Sequence, residues 1–284
     1  MTKHFSPNEV RFYLTDPTPC PYLPGRRERK VFTTLLAFAP LPGALDAFAP
    51  PGNHTLEEAD GPDPNRVHDV LTNAGFRRSQ HIAYRPACDA CSACVAVRIP
   101  VEQFDFSRRW RRIMGRNADV QAFLRPPMAT EEQYWLLRSY LEGRHPKGGM
   151  ASMTLQDYAA MVEDSVVRSH VVEYRLREGP HAGELAAAAL VDLLSDGLSL
   201  VYSFFDPALA GRSLGAFTIL HHVETARLAG LRYVYLGYWV RGSAKMAYKA
   251  QYQPLEALRG ERWEPLGVEA PAPAQKRKRP AVRR

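Results

Sequence analysis

Between residues 130 and 263 the spacing of apolar and polar positions changes from segment to segment. Tyr134, Leu137 and Leu141 recur at helical spacing, and Thr130 stands where an N-cap belongs. "HPKGGM" at 145–150 stops that helix. A second helix follows, with Thr154 as its cap and Tyr158, Met161 and Val162 on one face. The period then shortens. Val166–Leu176, Leu185–Leu194 and Leu198–Phe205 are β-branched or apolar runs, separated by the turn chemistry of "REGPHAGE" and "SDG". They predict three antiparallel strands. Gly211–Leu228 reads as a helix with Gly230 at C′, "RYVYLGYW" at 232–239 as a strand, and "SAKMAYKAQY" as a short helix.

The predicted class is α/β (α+β). An N-terminal domain over 1–125 carries the cysteines and an arginine-rich segment. A second domain covers 126–265 and a basic tail covers 266–284, its end rich in Pro, Ala, Lys and Arg with little to bury. "RPPMATEE" at 125–132 marks the junction. The order helix, helix, three strands, helix, strand, helix resembles the GNAT acyltransferase fold, a likeness that by itself says nothing of function.

Charge sharpens this picture. The formal net charge is +7, but the last fourteen residues carry six basic side chains and no acid, leaving 31 basic against 30 acidic in residues 1–270. Within the body, residues 77–116 hold nine Arg, no Lys and three acids. A planar guanidinium fork suits phosphate and carboxylate, so this segment is read as anion-binding rather than as a merely solvated face. The start lacks the apolar core of a secretory signal, and no window of about eighteen apolar residues offers a membrane span. A cytoplasmic, reducing setting is expected, and no membrane partner.

In that setting "CDACSAC", with Cys88, Cys91 and Cys94, is more readily a metal or reactive site than a disulfide framework. With the distant Cys20 the set has four thiols, which suits either an iron–sulfur cluster or a zinc ion. The spacing does not separate the two.

"YSFFDPALAGRSLG" places Asp206 at the end of a strand. It is either a turn-forming Asp-Pro or an acid at the edge of a cleft. "GRSLG" opens the next helix, so Arg212, Ser213 and Gly215 are candidates to hold an anion on free N–H groups. A coenzyme A loop of the GNAT kind would carry a small residue where Phe217 stands, which counts against that cofactor. Tyr235, Tyr238 and Trp239 interleave with Arg241, Lys245 and Lys249, a pattern suited to stacked bases and phosphates as well as to an interior strand. His221 and His222 have no ligand spacing and are read as structural.

Together, "GFRRSQHIAYRPACDACSACVAVRI", "SFFDPALAGRSLG", "YVYLGYWV" and "KMAYK" resemble the arginyl-tRNA–protein transferase family, and most closely its short bacterial branch, the aspartate/glutamate leucyltransferases. The likeness runs from "CPYLPGR" to about Trp263. It departs at "SRRWRRI", where Trp110 replaces an expected Gln. The resemblance implies transfer of leucine from leucyl-tRNA to acceptor proteins that begin with Asp or Glu, marking them for degradation by the N-end rule. No cofactor is required for such chemistry. Asp206 would orient or deprotonate the acceptor amine, and Tyr202 and Tyr238 would steady the ester or its oxyanion. Arg77, Arg78 and Tyr84 would meet the acidic acceptor side chain. Arg212, Ser213, Gly215, Arg241, Lys245, Tyr248, Lys249 and the 108–116 arginines would take the tRNA. Three rival readings stay open: an arginyl-tRNA donor, a small-molecule acetyltransferase, and an iron–sulfur RNA-binding regulator.

Overall fold

The computed structural model describes residues 10–38, 63–144, 146 and 148–267. Of the tail expected at 266–284, Leu266 is instead a buried core residue, its N–H donating to the Leu255 carbonyl, and residues 268–284 with most of the loop expected at 40–64 lie outside the described residues.

The chain builds short N-terminal strands β1 (Tyr13–Leu14), β2 (Thr18–Pro19), β3 (Arg27–Glu28) and β4 (Lys30–Thr34), then helix α1 (Pro64–Asn73) and strands β5 (Arg77–Ser79) and β6 (Ile82–Pro86). Strand β7 (Cys94–Pro100), helix α2 (Arg108–Arg116) and strand β8 (Val120–Arg125) follow. Helices α3 (Glu131–Arg144) and α4 (Leu155–Glu163) lead into β9 (Ser169–Leu176), β10 (Leu185–Leu193) and β11 (Gly197–Phe205). Helix α5 (Leu214–Leu228), β12 (Tyr233–Val240), β13 (Glu256–Arg259) and β14 (Arg262–Pro265) complete it.

An eight-stranded sheet runs β14-β13-β7-β12-β11-β10-β9-β8, and a four-stranded sheet runs β1-β4-β6-β5. The large sheet takes β7 and β8 from one side of the 125/126 junction and β9–β14 from the other. The expected meander β9-β10-β11 is antiparallel, and β12 lies parallel to β11 after the α5 crossover. This is the GNAT-like arrangement.

Local chemistry sets the helix starts. The Thr130 hydroxyl accepts from Gln133 N (3.2 Å) while the Gln133 side chain accepts from Thr130 N (3.2 Å). Thr154 and Asp157 make the same reciprocal pair at α4. The run "LAAAAL" in β10 is buried throughout. Ala187 and Ala189 pack toward α2 and α5, and Ala188 and Leu190 toward α3 and α4. Small side chains at the sheet centre let helices close on both faces. Trp110 is a core residue, 5% exposed, stacked on Tyr252 at 4.9 Å. That accounts for an aromatic residue where a polar one was expected. His222, 2% exposed, sits with His221 around the hydroxyl of Tyr174, and its Nδ1 donates to the Thr218 carbonyl at 2.7 Å.

A buried ionic knot fixes the small sheet onto the large one. Asp192 of β10 is 0% exposed. Its carboxylate accepts from Arg78 Nε (2.8 Å) and Nη2 (2.6 Å), from Ser169 Oγ (2.7 Å) and from His68 Nε2 (3.1 Å). Four elements, β5, α1, β9 and β10, therefore meet at one carboxylate. Burial alone would raise the Asp192 carboxyl. The Arg78 guanidinium and His68 overcome that and hold it far below the usual carboxylate range.

Asp192→Asn leaves Arg78 buried without its counter-charge. The expected cost in chemical denaturation is about 3–5 kcal/mol. The wild-type contribution is fully present above the unfolded carboxyl pKa of about 3.9 and is lost as pH falls through the lower folded value. The unfolding free energy of the variant should therefore vary less with pH below about 4 than that of the wild type.

Candidate active site

The cleft begins where β11 and β12 part. Their parallel pairing runs only through Gly197↔Tyr233, Leu198↔Val234 and Ser199↔Tyr235. Beyond that point β12 stays on β7, with a bulge between Tyr235 and Gly237. The bulge interrupts the two-residue alternation of a regular strand.

Arg77 of β5 fills the opening. Its Nη2 donates to the carbonyls of Leu200 (2.7 Å) and Val201 (2.9 Å) on β11. Gly237 has φ +73, and a Cβ there would overlap the Arg77 guanidinium. The glycine is thus required both by backbone conformation and by the approach of the arginine. Lys249, 7% exposed, donates from Nζ to the Tyr238 carbonyl at 2.6 Å. Burial, with Arg77 nearby, brings its ammonium down to about 7.

Phenols ring these cations. Tyr84 lies 6.3 Å from Tyr238, centroid to centroid. Burial, then the neighbouring Tyr84, pushes the Tyr22 hydroxyl up to about 12. Burial also raises Tyr202, with Tyr140 and Tyr248 beside it. Tyr248 itself is 44% exposed and forms the outer edge of the group.

Several sequence expectations change here. Arg78 points away from the cleft, and Asp192, Ser169 and the Gln80 carbonyl use its donors, so it is not an acceptor-side fork. Adjacent residues on a strand face opposite ways, so Arg77 and Arg78 were never able to share one ligand. The Tyr238 hydroxyl donates to the Gly75 carbonyl (2.8 Å), with the Tyr84 carbonyl at 3.0 Å, and stays bound inside the fold rather than free for an oxyanion. Lys249 is buried, which corrects its expected role on a phosphate-binding surface. Arg212 is held bidentately by Asp119 at 2.7 and 3.0 Å, so its fork is already filled.

Asp206 follows β11 and accepts from Ala208 N at 2.8 Å, so the turn-forming role is real, and one carboxylate oxygen carries it. Ser213 adopts the left-handed conformation (φ 59) at the start of α5 and makes no side-chain cap. Gly215 sits against Phe205, where a Cβ would come within 2.9 Å of the ring. Arg241 and Lys245 are exposed beyond β12, and Arg108, Arg109, Arg111, Arg112 and Arg116 line the exposed side of α2. Tyr22 and Tyr140 were missed by sequence reading, because nothing in a lone tyrosine's spacing marks it as facing a distant cleft.

Cys20, Cys88, Cys91 and Cys94 converge on one pocket of about 300 Å³ and are all free thiols. Burial and the other three sulfurs push the Cys94 thiol up to about 12. Soft donors in this number suit a soft cation. Even so, no group of three or more His, Cys, Asp or Glu among the described residues is arranged to hold a metal ion. No described helix is long and apolar enough to cross a membrane.

The sheet and its parted parallel strands define a GNAT-like α/β protein. Family models described as "Arginine-tRNA-protein transferase, N terminus" and "Arginine-tRNA-protein transferase, C terminus" match residues 18–112 and 132–259. A protein of Phenylobacterium zucineum named aspartate/glutamate leucyltransferase is 56% identical over 93% of each chain. One of the same name from Rhodopseudomonas palustris is 52% identical over 95% of this chain and 96% of its own. The chain belongs to the arginine-tRNA-protein transferase family. Among solved structures, L-PGS from Bacillus licheniformis matches 61% of this chain and 50% of its own, at 12% identity and a TM-score of 0.40. FemX matches 63% of this chain and 60% of its own, at 8% identity and a TM-score of 0.39.

Gly237→Ala should reduce activity by about tenfold or more, because the new methyl forces Arg77 out of the strand opening. Thermal melting and a transfer assay check this together. An active variant of unchanged stability would show that Arg77 is not held where the structure puts it.

Proposed function

We propose that this protein transfers leucine from leucyl-tRNA to the N-terminus of proteins beginning with Asp or Glu, marking them for degradation under the N-end rule. The observation that carries the reading is identity of 50–56% over most of the chain with relatives named aspartate/glutamate leucyltransferase. The cation-lined cleft at the parted strands agrees with it.

The reaction is aminolysis of an activated ester. The acceptor's α-amino nitrogen attacks the leucyl carbonyl carbon, and the bond to the ribose oxygen of the tRNA breaks. The nitrogen's surplus proton leaves, and the ribose oxygen regains one. An α-amine with a pKa of about 7.7–8.0 is partly free base at neutral pH, so no covalent nucleophile is needed. Positioning supplies rate, with effective molarities of roughly 10⁵ M and above for well-held reactants. Asp206, with one carboxylate oxygen outside its turn bond, receives or relays the proton. Tyr202, whose hydroxyl burial keeps protonated, donates to the developing oxyanion. Arg77 and Tyr84 face the acidic acceptor side chain.

The tRNA runs over the exposed side of α2, past Ser213 and Gly215 at the start of α5, to Arg241, Lys245 and Tyr248. The α2 arginines, Arg241 and Lys245 are exposed, as phosphate partners must be. The donor could equally be arginyl-tRNA as far as the residues go; the names of the relatives favour leucine. The protein works in the cytoplasm.

Leucyl-tRNA and arginyl-tRNA, offered separately with peptides beginning Asp, Glu, Lys or Ala, test the assignment. Leucine should appear on the Asp and Glu peptides alone. Arginine on those peptides would overturn the donor. Asp206→Asn should lower kcat by about 10²-fold or more and leave tRNA affinity unchanged. Full turnover in that variant removes Asp206 from the mechanism.

The four thiols are the candidate site for an iron–sulfur cluster or zinc, held by Cys20, Cys88, Cys91 and Cys94 with no step of the transfer assigned to it. Metal analysis of anaerobically purified protein tests it: about one metal centre per chain would mean that the thiols draw together on a metal their present arrangement does not hold. Its absence, with full activity, would leave the pocket a purely structural group of thiols.

A further inference from the structure

We infer that Lys249, together with Arg77, forms the anion-binding floor of the cleft that receives the carboxylate of the acceptor's first side chain. This rests on the proposed function, and it moves Lys249 from the tRNA face to acceptor specificity, in the place Arg78 was expected to fill.

Arg77 takes the Leu200 and Val201 carbonyls of β11, and Lys249 takes the Tyr238 carbonyl of β12. The two cations therefore sit at the two lips of the same strand opening. They reach adjacent residues of β12, since Arg77 lies over Gly237 and Lys249 binds Tyr238. Lys249 uses one of its three donors in this way, and Arg77 keeps Nη1 and Nε outside those bonds.

Two neighbouring cations, one nearly fully buried, are costly without a counter-charge. Other partly or fully buried arginines, among them Arg78, Arg98, Arg175 and Arg212, each have a carboxylate partner: Asp192, Glu256, Glu132 and Asp119. Among the described residues neither Arg77 nor Lys249 has one. The groups facing Lys249 are Arg77 from β5, the Tyr238 carbonyl of β12 and the Tyr248 ring on its own turn, at 5.9 Å. None is an anion at neutral pH. A side-chain carboxylate of Asp or Glu supplies the missing charge, and an uncharged Asn or Gln does not. Acidic specificity then follows from an unmet charge rather than from shape.

One consequence has a sign. Near pH 8 the buried amine is largely neutral, because its ammonium has been brought down to about 7. An arriving carboxylate restores the charged form. Binding an Asp peptide should therefore take up a proton that binding the matched Asn peptide does not. Both peptides carry the same α-amine, whose own titration cancels in the difference.

The test uses the full chain. Peptides beginning Asp and Asn are bound to the wild type at pH 8 in two buffers of different ionisation enthalpy. Transfer from leucyl-tRNA is then measured for wild type, Lys249→Met and Lys249→Arg. The expected results are extra proton uptake with the Asp peptide and a KM for that peptide roughly 30-fold or more higher in Lys249→Met. Lys249→Arg should recover part of it, and KM for leucyl-tRNA should stay within about twofold. No difference in proton uptake overturns the inference even if Lys249→Met fails to fold. A rise in KM for leucyl-tRNA in place of the peptide assigns the floor to a tRNA phosphate and overturns it as well. Wild type that prefers the Asp peptide in binding yet transfers no leucine refutes the transfer reading while keeping the pocket.

Discussion

Everything at the cleft depends on how two parallel strands can separate without leaving carbonyls bare. A buried backbone oxygen without a donor costs about as much as a lost hydrogen bond or more. Here Arg77 meets that demand on β11 and Lys249 meets it on β12. The opening is thus held by the same groups that give it positive charge. Structure and electrostatics are not independent at this site, so any change that closes the strands also removes the cationic floor.

Arg77 can reach the opening only because Arg78 cannot. The two residues share one short strand, β5, and leave it on opposite sides. Arg78 is clamped by Asp192 on β10, and His68 and Ser169 complete the clamp. That ionic knot fixes the rotation and register of β5 against the large sheet, and the rotation aims Arg77. The Gly237 bulge is the receiving half of the same arrangement. It removes a side chain from β12 at the point where the guanidinium passes. The N-terminal sheet is therefore not an appendage to the GNAT-like sheet, because it supplies the residue that defines the cleft.

The parts of this design that are local were legible in the sequence. Helix α3 with its Thr130 cap, helix α4 with Thr154, the meander β9-β10-β11, the α5 crossover and β12 follow from periodicity and capping, which act over a few residues. What periodicity cannot convey is pairing at long range. The placement of β7 between β12 and β13 joins residues more than a hundred positions apart, and so does the Arg78–Asp192 bond. The site was partly legible for the same reason. Asp206, Tyr202 and Arg77 stood out by residue type, but whether a polar group serves the fold or the chemistry depends on partners contributed from elsewhere. Arg78, Tyr238, Arg212 and Lys249 all carry functional-looking side chains, and the fold uses the bonding capacity of each, wholly or in part. Interleaved aromatics and cations mislead in the same way. Arg98 lies 3.5 Å from the Tyr233 ring and 4.2 Å from Trp263, so the cation of that aromatic cage comes from the protein itself.

The loop before α5 shows how a GNAT-like sheet can serve a tRNA-borne donor. A loop that grips a free cofactor must keep its donors and glycines for the ligand. In this chain Arg212 is bound to Asp119, Gly215 is packed against Phe205, and the Arg212 carbonyl accepts from Asn117 at 2.9 Å. Much of the loop is committed to holding α5 on α2 and β11. Under the proposed function, grip on the donor would fall to surfaces outside the cleft, where the exposed arginines on α2 are placed to follow a long polyanion. An aminoacyl ester is already activated, so the cleft itself has only to bring an amine to it and to check the side chain beside that amine. A strand opening lined by two cations and a ring of protonated phenols is suited to that pair of tasks.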